Sequence, residues 1–165
     1  MGKLTQKRLR ELLRYSPETG IFTWLDNTRR GIRPNAVAGS LNNGYITIAV
    51  DGRQYRAHRL AWLHVYGKWP NKMIDHINRI KSDNRIANLR EATNAENQRN
   101  VEVGKKNKSG FKGVFWEPSR RKWKARAQLN NKKYTIGRFD EIENAIAAYE
   151  EFCQKHYAGF YVSQI

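Results

Sequence analysis

The sequence predicts an α+β fold in two parts. The first part combines β-hairpins with short helices, and the second is a three-stranded antiparallel sheet packed on one helix. Three observations favour this class: strand-like runs alternate with turn formers, apolar residues recur at helical spacing in several segments, and a segment rich in Gly, Lys, Asn and Ser interrupts the pattern. We therefore expect a domain at 1–103, a linker at 104–110 and a second domain at 111–165.

The first part alternates short helices with strands rich in β-branched and aromatic residues. Thr5 stands at the start of an amphipathic helix, Asn42-Asn43-Gly44 and Asp51-Gly52 are hairpin turns around a strand, and Gly67 is placed to end a second helix. In order, the predicted elements are a helix at 4–14, strands at 21–24, 45–50 and 55–57, a helix at 58–66, strands at 73–74 and 88–90, and a helix at 94–100.

The second part contains three strand candidates, at 111–116, 122–129 and 132–137, followed by a helix at 140–157. The middle strand alternates strictly, with one set of side chains cationic or polar and the other apolar. We expect the apolar set to pack on the helix, which leaves a flat, positively charged face.

The chain of 165 residues has 31 Lys and Arg against 15 Asp and Glu, a formal net charge of +16. Such an excess predicts a polyanionic partner, and both predicted domains share it. The 39% hydrophobic and 12% aromatic content excludes a disordered basic tail, no apolar run suggests a membrane span, and the single cysteine excludes an intrachain disulfide and a multi-cysteine zinc site. We expect a soluble, cytoplasmic protein with no membrane partner.

The candidate chemistry lies at Asp75-His76, where a strand runs into a polar loop. A neutral His can take a proton from water at physiological pH, and Mg²⁺ needs only one or two oxygen ligands from the protein. Adjacent strand residues point to opposite faces, so both side chains can serve one site only at an irregular strand end. By itself an Asp-His pair is more often structural, Asn88 can be a turn residue, and Asn97 can be an exposed helix residue.

These residues, in this order, resemble the HNH endonuclease family, in the branch found in phage and intron homing enzymes. The resemblance covers about 43–100, with the core motif at about 56–100, and implies a two-stranded ribbon and a helix around one metal ion. It implies Asp75 and Asn97 as ligands of a divalent ion, Mg²⁺ or Mn²⁺, His76 as general base and Asn88 as the residue that holds the loop. His58 also matches the branch, without a defined role. Arginines around the motif are expected to hold the phosphate backbone: Arg79, Arg85, Arg90 and Arg99.

The basic C-terminal segment resembles the ethylene-response-factor, or Apetala-type, DNA-binding domain over about 108–160. The matching motifs are Lys112-Gly113-Val114, Lys122-Trp123-Lys124-Ala125, residues 136–140 and residues 145–149. The resemblance implies a sheet that docks in the major groove. Four residues depart from the plant pattern, so the target sequence does not carry over: Phe115, Arg126, Gln128 and Thr135. The expected contacts to DNA are Lys112, Arg120, Arg121, Lys122, Lys124, Arg126, Gln128 and Lys133.

Together these features predict a metal-dependent, phage-encoded endonuclease that acts on double-stranded DNA in the bacterial host as a monomer or homodimer, with nicking as the simplest outcome. A non-catalytic DNA-binding regulator with a degenerate nuclease centre is the alternative, and RNA cleavage is a third. Target sequence, strand stoichiometry, oligomeric state, metal preference and the role of residues 1–42 stay open.

Overall fold

The computed structural model describes residues 3–25, 33–101, 103–104, 107–130, 132–157, 159–161 and 163. Contacts divide the chain into two compact units, 1–94 and 95–165. The domain limits 1–103 and 111–165 proposed from composition remain a proposal, and residues 105–106 of the proposed linker lie outside the described residues. The described helices are too short and too polar to span a membrane.

The first unit is built from three small antiparallel sheets and two helices. Its elements in order are α1 (Gln6–Leu12), β1 (Leu13–Tyr15), β2 (Phe22–Trp24), β3 (Ser40–Asn42), β4 (Tyr45–Val50), β5 (Arg53–Arg56), α2 (Ala57–Tyr66), β6 (Met73–His76), a 3₁₀ turn (Ile86–Asn88) and β7 (Leu89–Ala92). The sheets pair β1 with β2, β3 with β4 and β5, and β6 with β7. The Thr5 side chain accepts from the backbone N–H of Arg8 at 3.2 Å, and Gly67 ends α2 at φ 74°, as the sequence predicts.

One apolar core holds the first unit together. Leu9, Leu13, Phe22, Ile48 and Leu60 are fully buried in it. The predicted helix over 4–14 is wrong in its last two residues. Leu13 and Tyr15 alternate into this core as strand β1, paired with β2, and that pairing outweighs their helical spacing. The described part of residues 1–42 thus supplies α1, the paired strands β1 and β2, and the strand β3 to the fold that carries the Asp75-His76 motif.

The second unit begins with most of α3 (Asn94–Arg99) and contains β8 (Val114–Glu117), β9 (Lys122–Leu129), β10 (Lys132–Phe139) and α4 (Ile142–His156). The strands form an antiparallel sheet in the order β10-β9-β8, and α4 packs against it. Ala125 and Ala127 are buried in a core with Ala145 and Tyr149, whereas Arg126 and Gln128 are exposed, which confirms the predicted alternation of β9. The first strand begins three residues later than predicted, because a turn at Asn107–Gly113 precedes it.

Candidate active site

The Asp75-His76 motif forms the last two residues of β6, and both side chains are buried, with 5% and 6% exposure. His76 ends the strand, and its carbonyl accepts from the N–H of Arg79 at 2.9 Å in the turn that follows. Asp75 faces Arg90 across the pair β6-β7, and Arg90 Nε donates to Asp75 Oδ2 at 2.8 Å. The imidazole of His76 lies beside His58 and Tyr45. The motif therefore stands at the end of β6, where the polar loop begins.

The His76 ring belongs to an aromatic cluster in which His58 is the nearest neighbour. The two ring centroids are 5.0 Å apart at 90°, and Tyr45 lies 5.5 Å from His58 and 6.1 Å from His76. Burial lowers the pKa of His76, and the Asn84 side chain next to it acts in the opposite direction. Burial is the main cause that lowers the pKa of His58 to about 3, and the nearby His76, Arg56 and Arg59 act in the same direction. Both imidazoles are therefore neutral at physiological pH, the form in which His accepts a proton.

Asn88 organises the polar loop that follows β6. Its Oδ1 accepts from the backbone N–H of Asn78 at 3.0 Å, and its Nδ2 donates to Asn78 Oδ1 and to the Asp83 carbonyl, both at 2.9 Å. The backbone carbonyl of Asn88 also accepts from the N–H of Ile77 at 2.9 Å. Asn88 itself is buried, and its side-chain hydrogen bonds are partly shielded from water. One side chain thus fixes both ends of the loop against the end of β6.

We expect Asn88→Ala to lower the free energy of unfolding by about 1–3 kcal/mol, because it removes three hydrogen bonds of a buried side chain and leaves the carbonyl of the half-buried Asp83 without this partner. Asn88→Asp should lower the free energy of unfolding by less, since it keeps the acceptor for the Asn78 N–H. The exposed Asn71→Ala is the matched control and should stay within about 0.5 kcal/mol of the parent. Urea unfolding measures all three, and equal midpoints for Asn88→Ala and Asn71→Ala would contradict the assignment.

The N-terminal segment around Tyr15 and Gly20 packs against the same polar loop. Tyr15 Oη donates to the Asn84 carbonyl at 2.7 Å, and Asn84 itself is buried next to His76. Gly20 has φ 72°, and a Cβ at that position would overlap the backbone of Asn84 and Arg85. The sequence analysis gave Asn84 no role, although it belongs to the polar run between Asp83 and Asn88. Its position behind His76 follows only from the packing of the N-terminal segment.

Gly20→Ala is expected to destabilise the fold far more than Gly52→Ala. Both glycines have positive φ, 72° and 78°, but a Cβ at Gly52 meets nothing within 4 Å. Gly52→Ala therefore costs only the left-handed strain of about 1–2 kcal/mol, whereas Gly20→Ala adds a clash with backbone that cannot move without displacing the loop. Thermal unfolding of the two variants makes the comparison. A shift for Gly20→Ala no larger than that for Gly52→Ala would show that the loop does not pack there.

Asp75 is the carboxylate of this region that suits a metal ion. Carboxylate and amide oxygens are the donors that a hard divalent ion takes, and such an ion needs few of them because water and phosphate complete its shell. The donor types of Asp75 and Asn97 fit that requirement. Asn97 lies half-buried on α3, in the part of the chain that belongs to the second unit. Within the described residues, no group of three or more His, Cys, Asp or Glu side chains gathers as a metal site.

The arginines predicted around the motif differ in what they contact. Arg85 is exposed and pairs with Asp83 at 2.6 Å, which is the main cause that lowers the pKa of Asp83 to about 2. Arg90 pairs with Asp75, and the guanidinium of Arg99 lies 4.4 Å from the centre of the Tyr157 ring in the second unit. Arg79 is half-buried in the loop after β6, at φ 66°. Intramolecular contacts therefore orient Arg85, Arg90 and Arg99.

The predicted DNA contacts of the second unit also separate into two groups. Lys112 Nζ donates to the carbonyls of Gln98, Arg99 and Val101 at 2.7–3.1 Å and so anchors the end of α3. The ion pairs on the sheet are Arg120, Lys124 and Arg138 with Glu117, and Lys122 with Asp140. The remaining side chains are exposed on β9, β10 or the turn between β8 and β9: Arg121, Arg126, Gln128 and Lys133.

Comparison with known proteins identifies the class. Residues 55–99, which include α2, the ribbon β6-β7 and α3, match the family model for an HNH endonuclease. The chain is also 32% identical over 89 residues to Protein 3.8 of Escherichia phage T7, a match that covers 53% of this chain and 74% of that protein. The chain therefore belongs to the HNH endonuclease family, with a phage protein among its relatives. No solved structure matches it.

Proposed function

We propose that this protein is a metal-dependent DNA endonuclease of the phage or intron homing type, in which His76 is the general base and Asp75 and Asn97 hold a divalent ion, Mg²⁺ or Mn²⁺. The observation that carries the proposal is the buried Asp75-His76 pair at the end of β6, beside a loop fixed by Asn88, within the segment that matches the endonuclease family. The phage relative supports a phage-encoded enzyme that acts in the bacterial host.

The proposed reaction is hydrolysis of one phosphodiester bond. His76, neutral because it is buried, takes a proton from the water that attacks phosphorus; the bond from phosphorus to the leaving oxygen breaks, and that oxygen takes up a proton from solvent water. Asp75 and Asn97 would hold the ion, which would supply positive charge for the phosphate oxygens. Asn88 keeps the loop in place, and Asn84 lies next to the imidazole. One centre per chain cuts one strand, so a monomer is proposed to nick and a homodimer to cut both strands.

Incubation of supercoiled plasmid with the purified protein tests this function. The expected result is conversion to the open circle with Mg²⁺ or Mn²⁺ and no conversion with EDTA. Sequencing the new ends then gives the target. DNA binding in a gel shift without cleavage under any divalent ion would overturn the proposal and favour a non-catalytic DNA-binding regulator.

We further propose that the sheet of the second unit targets the enzyme as an Apetala-type domain does, by lying in the major groove of double-stranded DNA. The exposed face of β9 supports this role, because Arg and Gln side chains form the hydrogen bonds that distinguish bases there. Arg126 lies 5.0 Å from the centre of the Phe115 ring, which stiffens an otherwise flexible side chain. On this proposal Arg126 and Gln128 reach base edges, and Arg121 and Lys133 contact phosphates.

Arg126→Gln is expected to weaken the preference for the cognate site by about 1–3 kcal/mol, the value of one good bidentate contact to a base. Lys155→Gln is the charge-matched control, because Lys155 is exposed on α4 and not on the β9 face. Competition between cognate and random duplexes measures the preference. Equal discrimination by Arg126→Gln, Lys155→Gln and the parent would remove Arg126 from base recognition.

A further inference from the structure

Two cations lie against the ring of Tyr45 on the His76 side of the candidate active site. The guanidinium carbon of Arg56 lies 3.9 Å from the centre of this ring, and Lys81 Nζ lies 5.2 Å from it. Arg56 comes from the end of β5, Lys81 from the loop after β6, and Tyr45 from the start of β4. Three separate elements of the first unit therefore converge on one half-buried aromatic ring.

The positive charge of this group is not compensated in the way that charge is compensated elsewhere in the unit. Arg8 pairs with Asp51, Arg85 with Asp83 and Arg90 with Asp75. Across the described ranges, by contrast, no carboxylate pairs with Arg56 or Lys81. Two cations gathered at one ring repel each other, and an anion that both can reach would relieve that repulsion.

The chemistry of the group indicates which anion it suits. Stacking on an aromatic face leaves the N–H edge of a guanidinium available, and that edge donates two parallel hydrogen bonds to a phosphate. The Lys ammonium adds a point charge without a fixed direction. Arg56 also precedes the first turn of α2, where the helix dipole is positive and the described first turn holds no acidic side chain.

We propose that Arg56, Lys81 and Tyr45, called here the tyrosine clamp, bind a backbone phosphate of the nucleic acid next to the bond that is cut. Tyr45 is the platform that holds the two cations, and it borders both His58 and His76. A phosphate in the clamp therefore lies one aromatic ring away from the general base. The proposal rests on the proposed function for the identity of the cut bond, but binding at the clamp does not require cleavage.

A binding experiment in the His76→Ala background tests the clamp without cleavage. Anisotropy of a fluorescent mixed-sequence duplex, measured at several chloride concentrations, gives the slope of log K against log salt. Arg56→Gln with Lys81→Gln should make that slope shallower by about 0.9, since the two cations together neutralise one phosphate and each neutralised phosphate contributes about 0.9. Tyr45→Leu should also weaken binding, and Tyr45→Phe, which keeps the ring, should bind as the parent does.

The control is Arg53→Gln with Lys68→Gln, which removes the same charge from the same unit. Arg53 lies on β5 three residues before Arg56 and points to the opposite face, and Lys68 follows the far end of α2. The slope of log K against log salt for this control pair should equal that of the parent. Equal slopes for the clamp pair and the control pair, or a parent that does not bind the duplex, would overturn the proposal.

Two further outcomes distinguish the tyrosine clamp from a site for a free anion and from the proposed nuclease activity. Inorganic phosphate at matched ionic strength should not displace the duplex better than chloride does. Displacement that disappears in the clamp pair would show a site for a free anion and would overturn the backbone assignment. If the wild-type protein does not cleave plasmid with any divalent ion, yet the slope becomes shallower as expected, the nuclease proposal fails and the clamp stands.

Discussion

His76→Ala is expected to abolish cleavage while DNA binding persists. A positioned general base contributes about 10²–10⁴-fold to the rate, so plasmid nicking under single-turnover conditions should fall by at least about 100-fold. The contacts proposed for DNA lie on other residues, among them Arg126 and Gln128 on the exposed face of β9. The affinity for a duplex should therefore change less than about threefold, within the scatter of a neutral interface substitution.

Two further variants separate catalysis from packing. His76 is buried against His58 and Tyr45, so its removal also leaves space in the aromatic cluster. His76→Gln fills most of that space with a side chain that cannot serve as a base at neutral pH, and it should be as inactive as His76→Ala. His156→Ala, on the exposed last turn of α4, is the matched control and should cut at the parental rate. Cleavage by folded His76→Ala at the parental rate would remove His76 from the mechanism.

Local sequence patterns predicted most elements of the fold, because they depend on periodicity and turn chemistry. The β4 strand, the end of α2 at Gly67 and the alternation of β9 all follow from such signals. These signals did not predict the short strands β1 and β3. A three-residue strand carries almost no periodic signal, and β1 exists because tertiary pairing with β2 places Leu13 and Tyr15 in the core.

The residues of the candidate site also differ in whether the sequence alone could nominate them. Asp75, His76 and Asn88 lie within 14 residues of each other on one motif, so the sequence could nominate them. Tyr45, His58 and Asn84 contribute through packing between elements that are distant along the chain, which no local pattern records. The ion pair between Asp75 and Arg90 likewise depends on the register of β6 and β7. Arg90, nominated for phosphate binding, thus has a second role that the sequence alone did not reveal.

The second large expected effect concerns substitutions in the ion pair between Asp75 and Arg90. Asp75→Asn should abolish cleavage, because the proposed ion loses its only charged protein ligand. It should also destabilise the fold, because the Arg90 side chain, only 18% exposed, keeps its charge and loses its ion pair with Asp75. Removing one partner of a buried ion pair costs about 3–5 kcal/mol, and partial exposure of Arg90 places this case at or below the lower end. A loss of activity in Asp75→Asn by itself therefore does not distinguish a metal ligand from a structural group.

A double-mutant cycle makes that distinction. Arg90→Gln should also lower the free energy of unfolding, since it leaves the Asp75 carboxylate buried at 5% exposure, but it retains the metal ligand and should retain measurable cleavage. Combining Asp75→Asn with Arg90→Gln should recover part of the stability, because neither charge is then left unpaired, and recover none of the activity. Urea unfolding and plasmid nicking over a Mg²⁺ titration give the two readouts. Restoration of cleavage in the double variant would show that Asp75 acts only through Arg90 and would exclude it as a metal ligand.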